Sequence, residues 1–317
     1  MLDYRDPLFS IIAFLLLIVI VIIITNFLGS LKEQKKLKNL QEFAEKFDFL
    51  NDKEIESIFS DNISKNALIL LAIAFEKEGN YEKSLNIYKV VLQSVTTSEK
   101  FTILQNMAEV YFKAGFLHKA KESLHEILKS FPKSIKALKL LFIVDDKLKD
   151  FDEMENIIEI LDELEIDSSK EKAYLYFQKA KFENDLDKMK NLFQQYTVLK
   201  RDFISYLLYN NSTLIFDYIN DNDVYDMIDV FWNIDYLPLK YDSLKQIQAA
   251  KKELVFEEKA PIFELEVLKY LPKDMADLEF EYICENCKHL TPIYEDRCPH
   301  CKELFTLKVE TQIMKKI

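Results

Sequence analysis

The chain has 317 residues, a formal net charge of −12, three glycines, seven prolines and four cysteines. So little glycine excludes collagen-like and glycine-rich classes and argues against nucleotide-cradling enzymes, whose backbone must approach a phosphate closely; neither G-x-G-x-x-G nor G-x-x-x-x-G-K occurs. Residues 1–38 carry +2 and residues 279–317 carry −1, leaving −13 on the middle of the chain, where no basic site of useful size is visible, so nucleic-acid binding is disfavoured.

The first element is apolar. Leu8–Leu28 is a run of 21 residues without a charge, and at about 1.5 Å per residue it matches the hydrocarbon thickness of a bilayer. A cleaved signal peptide fits less well, because the run is too long, Asp3 and Asp6 accompany Arg5 before it, and no Ala-x-Ala follows. Residues 7–28 are therefore expected to form a retained transmembrane helix. Lys32, Lys35, Lys36 and Lys38 follow the span and only Arg5 precedes it, which places the N-terminus outside and the body in the cytoplasm. Residues 29–64 read as a juxtamembrane helical segment or a degenerate first repeat.

Between residues 65 and 200 the apolar pattern recurs with a period near the 34 residues of a tetratricopeptide helix-turn-helix unit. One unit starts near Lys65, with Leu68, Leu71, Ala72 and Phe75 on its first helix, Gly79 and Tyr81 at the turn, and Leu85, Tyr88 and Val91 on its second. The next starts near Phe101 and repeats these offsets through Gly115 to Pro132, which ends its second helix. A third starts near Ile135 and a weaker fourth near Lys170. Ala72, Ala108 and Ala120 fall where the two helices of a unit cross closely, while Phe142 and Met154 at equivalent positions imply looser units.

Stacked units of this kind curve into a solenoid whose concave face recognises protein segments. By offset alone that face is assigned Ile69, Ile73, Glu76, Gln105, Glu109, Phe112, Lys113, Lys139 and Asp146. No catalytic residue is assigned: His118 and His125 read as surface or packing residues, and the Asp145-Asp146 and Asp221–Asp223 acids lack the glycine and spacing of a calcium loop. Residues 201–272 show helical periodicity without a clean register and read as degenerate repeats. The many aromatic side chains of residues 187–241, Trp232 included, are assigned to a solenoid core, with a peptide-binding surface as the alternative.

All four cysteines fall in the last part of the chain, as Cys284-Glu-Asn-Cys287 and Cys298-Pro-His-Cys301. Two C-x2-C turns bring four thiolates to one tetrahedral metal, and a cytoplasmic address disfavours disulfides. Zinc is favoured over iron, since four thiolates suit both and a structural role needs no redox partner. Four protein ligands leave no coordination position open. Phe280–Ile283 and Leu304–Val309 alternate like short strands, giving a ribbon over residues 279–312 that is too small to fold without its metal.

Anchor, repeats and ribbon in this order resemble the bacterial lipopolysaccharide assembly protein B family over nearly the full length. The resemblance is strongest in AEVYFKAGFLHKAKESLHEIL, in KALKLLFIVDDKLKDFDEMENIIEIL and in FEYICENCKHLTPIYEDRCPHCKELFTLKV. It implies a mainly α fold with an N-terminal transmembrane helix, a tetratricopeptide α-solenoid and a small C-terminal β zinc ribbon of rubredoxin-like type. It also implies a non-enzymatic inner-membrane adaptor that links a lipid A pathway enzyme to a membrane AAA+ protease, with an assembly scaffold for secretion or division machinery as the alternative. An iron-bearing electron carrier is a third reading, which colour and a redox couple would reveal. Two departures stand out. The chain is about two repeats short, and Lys288 and Lys302 replace the glycine that often follows each metal turn. A left-handed backbone at a non-glycine residue costs roughly 1 kcal/mol, so looser turns are expected there.

Overall fold

A computed structural model describes residues 64–93, 95–210, 213–234 and 238–316. The expected transmembrane helix, and residues 29–63 of the segment after it, lie outside the described residues. Among the described residues no helix is long and apolar enough to cross a membrane. The chain divides into two compact units, Met1–Glu153 and Met154–Ile317. The described part is mainly helical, with a small antiparallel sheet close to its C-terminal end.

The helices begin as a series of consecutive pairs. They are α1 (Lys65–Lys77) and α2 (Tyr81–Gln93), α3 (Thr97–Lys113) and α4 (Leu117–Ser130), α5 (Ile135–Leu148) and α6 (Phe151–Glu163), and α7 (Ser169–Glu183) and α8 (Leu186–Gln195). The second members start at Tyr81, Leu117, Phe151 and Leu186, close to the expected interval. Within the first unit α1 packs on α2, α3 on α4, and each pair on its successor through α2 to α3 and α4 to α5. Ala72, Ala108 and Ala120 have no exposed surface, as helices in close contact require.

One backbone device closes all four pairs. The residue two places before each second helix takes a left-handed conformation: Gly79 (φ 81°), Gly115 (φ 79°), Lys149 (φ 60°) and Asn184 (φ 55°). The following N–H then bonds back over five residues, Asn80 to Phe75 O (2.8 Å), Phe116 to Tyr111 O (2.8 Å), Asp150 to Asp145 O (2.9 Å) and Asp185 to Ala180 O (3.0 Å). These bonds satisfy carbonyls that the first helix leaves unpaired. Glycine fits this position in the first two pairs, whereas Lys149 and Asn184 carry its strain in the next two. Asn80, Asp150 and Asp185 then accept N–H bonds from Lys83, Glu153 and Lys188, capping three of the four second helices.

After α8 the regular pairing ends. A 3-10 turn at Thr197–Leu199 leads into α9 (Lys200–Tyr209), and a second at Thr213–Asp217 precedes α10 (Asp221–Asp226), α11 (Ile228–Trp232), α12 (Asp242–Ala250) and α13 (Phe263–Leu268). These short helices explain the lost register. Their aromatics do build a core, with Phe193 stacked on Phe203 at 5.1 Å and Tyr218 edge-on to Phe203 at 5.3 Å.

The sheet orders its strands β2-β1-β3, all antiparallel, with β1 (Ala276–Cys284), β2 (Leu290–Thr291) and β3 (Leu307–Lys315). Two strands are longer than the sequence implies. The reason is a shared core: Leu278 is buried together with Phe177, Phe203, Ile228 and Leu265 of the helices, and Phe280, Val309 and Ile313 pack against the same cluster. The half of the β1–β3 hairpin away from the cysteines thus shares its core with the helices, while Phe280 and Val309 also pack against the ribbon's own cluster.

Candidate metal centre

The two cysteine turns are built alike. Cys284 N–H donates to His289 O (3.0 Å) and Lys288 N–H to Cys284 O (2.8 Å); Cys298 N–H donates to Glu303 O (2.9 Å) and Lys302 N–H to Cys298 O (2.9 Å). Lys288 (φ 60°) and Lys302 (φ 66°) both adopt the left-handed backbone. The looser turns expected from the missing glycines do not occur: two backbone bonds at each turn hold the lysine in the strained region.

The pairs meet across the turns, Cys284 Sγ 3.6 Å from Cys301 Sγ and Cys287 Sγ 3.7 Å from Cys298 Sγ, and all four sulfurs lie within 4.8 Å of one another. A tetrahedral ion with bonds of about 2.3 Å needs sulfurs about 3.8 Å apart, so the set fits one metal ion. Cys284 and Cys298 are fully buried, Cys287 and Cys301 half-buried. Burial pushes the Cys298 thiol up to about 12, whereas at Cys284 burial is outweighed by the Thr306 hydroxyl, 3.3 Å from Sγ, and by the N–H groups of Cys287 and Asn286, which bring it down to about 6. Without a cation the four thiols cannot ionise together; a bound dication supplies the charge that lets them. His289 and His300 stack face to face at 4.8 Å and are exposed, and neither is part of the sulfur cluster.

A polar network fixes this end of the ribbon to helices of its own unit. Asp229 on α11 accepts a hydrogen bond from the Tyr282 hydroxyl (2.8 Å) and pairs with the Arg201 guanidinium, whose Cζ lies 3.8 Å from the Tyr294 ring centre. Tyr174 of α7 lies 6.3 Å from Phe305 and 5.7 Å from the Arg297 guanidinium. Asp202 faces Asp296 in the loop between the cysteine turns, and burial, then the Asp296 charge, holds its carboxyl well above the usual range. Gln178 Nε2 donates to Asp296 Oδ2 at 3.5 Å. The spacing of the cysteines gives no hint of Arg201, Asp229, Tyr282 or Tyr294; the aromatic richness around them was the one available signal.

The residues assigned to a concave face lie on α1, α3 and α5, but not all are offered to solvent. Ile69, Ile73, Glu76, Glu109, Phe112 and Lys139 are half-buried and Lys113 is exposed, whereas Gln105 and Asp146 are buried at 3% and 5% exposure and belong to the helix packing. Ion pairs tie successive first helices together, Lys113 to Glu76 (2.5 Å) and Lys136 to Glu109 (2.8 Å). His118 is exposed and His125 lies 3.9 Å from Glu153, with no further metal-ligating partner for either among the described residues.

No family model and no curated protein matches this chain. Among solved structures the chain is similar to one described as the crystal structure of BtubC (BKLC) from P. vanneervenii, with a TM-score of 0.37 and 17% identity over 71% of this chain and 96% of that one.

Proposed function

We propose that this protein is a non-enzymatic adaptor of a bacterial cytoplasmic membrane. In this reading an N-terminal span tethers the chain with its N-terminus outside, tetratricopeptide-type helix pairs in the cytoplasm bind a client protein, and a structural zinc ion holds the C-terminal ribbon. The observation that carries the reading is the closed set of four thiolates on a ribbon whose sheet shares its core with helices. Such an ion has no open position for water or substrate, so it staples and does not react. Zinc would be held by Cys284, Cys287, Cys298 and Cys301, where it supplies charge that keeps all four sulfurs ionised; Thr306 and the backbone N–H groups of the turns orient them.

The client follows from the resemblance in anchor, repeats and ribbon. A lipid A pathway enzyme would be brought to a membrane AAA+ protease, setting the rate of lipopolysaccharide synthesis by contact alone. Crosslinking and pull-down of the full-length chain from native membranes tests this, compared with a Cys284→Ser, Cys287→Ser variant and with metal measured on both. Recovery of the protease or the lipid A enzyme with the zinc-loaded chain, lost in the variant, supports the reading. A secretion or division complex, or the same catch from both samples, overturns it.

A further inference from the structure

Strand β3 leaves one edge of the sheet open. It has β1 on one flank only and pairs with it without a break, from Leu307 opposite Cys284 to Lys315 opposite Ala276. Among the described residues, no group outside the sheet bonds to the main chain of residues 308–314. Proteins commonly protect such an edge with a proline, a bulge, an inward-pointing charge or a covering element. β3 has neither proline nor bulge, and its inward side chains Val309, Thr311 and Ile313 are uncharged up to the terminal Lys315. Val309 and Ile313 pack on the helical core, whereas Lys308, paired with Glu285 (2.6 Å), and Glu310 stand on the opposite, exposed face.

We propose that the open edge of β3 pairs with the same edge of a second copy of this chain. Two identical strands that meet edge to edge about a twofold axis run antiparallel, and the pairing centred on Thr311 engages the whole strand. Thr311 then faces the partner's Thr311, Val309 the partner's Ile313, Glu310 the partner's Gln312, Lys308 the partner's Met314 and Leu307 the partner's Lys315. Inward side chains meet inward ones, so branched apolar residues abut on either side of the threonines, and no like charges stand directly opposed. Moving the centre one residue toward the N-terminus would set Glu310 against the partner's Glu310, and any shift shortens the ladder. The outcome is one continuous sheet, β2-β1-β3 of one copy followed by β3-β1-β2 of the other, with the helices of both copies on the same side. This self-complementarity is what selects a second copy over an unrelated extended segment. The proposal stands on the sheet alone and does not depend on the adaptor reading.

The test follows the mass of the zinc-loaded, full-length chain by sedimentation equilibrium in a density-matched neutral detergent, where a monomer–dimer equilibrium is expected. Gln312→Glu sets a carboxylate against each Glu310 of the pair and should weaken dimerisation about fivefold, and Glu310→Lys combined with Gln312→Glu should recover it. Circular dichroism and zinc content report whether each variant folds, since Gln312 also donates to Glu281 (2.7 Å). The photocrosslinker p-benzoylphenylalanine in place of Met314, a side chain exposed on the outer face, reads the register without relying on those variants. In an equal mixture of isotope-labelled and unlabelled chains it should capture residues 307–309 of the other chain. A monomer at every concentration, association left unchanged by Gln312→Glu, or photocrosslinks confined to one chain would overturn the proposal. Capture of a different protein by the same photocrosslinker in native membranes, in place of a second copy, would also overturn it and assign the edge to an extended partner segment.

Discussion

Replacing Arg201 with Ala should unfasten the metal ribbon from its helices. The Arg201 and Asp229 side chains are 13% and 7% exposed, so truncation leaves a carboxylate desolvated with only the Tyr282 hydroxyl as partner. Breaking a buried pair from one side costs about 3–5 kcal/mol, and the guanidinium also leaves the Tyr294 face. For a unit of this size that lowers the melting temperature by about 10 °C. The assay is thermal unfolding of the zinc-loaded chain followed through Trp232, together with the rate of zinc transfer to a chromogenic chelator, which should rise as the ribbon opens more often. Arg201→Met combined with Asp229→Asn should recover more than half of the loss, since the amide oxygen still accepts from Tyr282 and no buried charge remains. A loss below about 1 kcal/mol for Arg201→Ala, the value of a solvated surface pair, would refute the account of docking.

Cys298→Ser should remove the metal and the hydrogen-exchange protection of residues 284–302 while the helical circular dichroism is largely kept, because the metal-distal strands rest on the helical core; a variant with full metal content would contradict this. Lys288→Gly and Lys302→Gly should each stabilise the metal-loaded ribbon by up to about 1 kcal/mol, since both lysines stand at positive φ; chelator competition reads this as tighter retention, and weaker retention would count against the strain. In the first unit, burial raises the Asp145 carboxyl to about 6 in spite of Lys121 at 2.8 Å. Between about pH 4 and pH 6 the folded chain then holds a proton that the unfolded chain has released, so Asp145 makes stability fall as pH rises through that window. Asp145→Asn should flatten this slope in denaturant titrations at several pH values and be at least as stable as the parent at pH 7; a steeper slope would contradict the direction of the shift.

The sequence was most legible where one chemical constraint acts locally. The helix pairs are spaced by their own turns, so Gly79 and Gly115 locate the first two, and apolar positions at helical offsets locate the next two. The four cysteines likewise point to a single site because C-x2-C geometry is local. What could not be read was which faces meet. Arg201, Asp229 and Tyr282 come from three elements, and periodicity says that a residue faces inward without saying toward what. The alternation of the ribbon strands likewise gives no sign that Leu278, Val309 and Ile313 join the core of the helices. Lys288 and Lys302 were misjudged for a different reason: residue preference gave the cost of a left-handed backbone, but not the paired N–H bonds that impose it.

The most direct test of the closed metal centre is X-ray absorption at the metal edge, with stoichiometry, on the full-length chain purified without added metal. The account predicts one zinc per chain with four sulfur neighbours at about 2.3 Å and no oxygen or nitrogen in the first shell. A disulfide-linked, metal-free chain, or an ion with a light-atom ligand in place of a thiolate, would contradict it and leave the ribbon without the staple on which the proposed function rests.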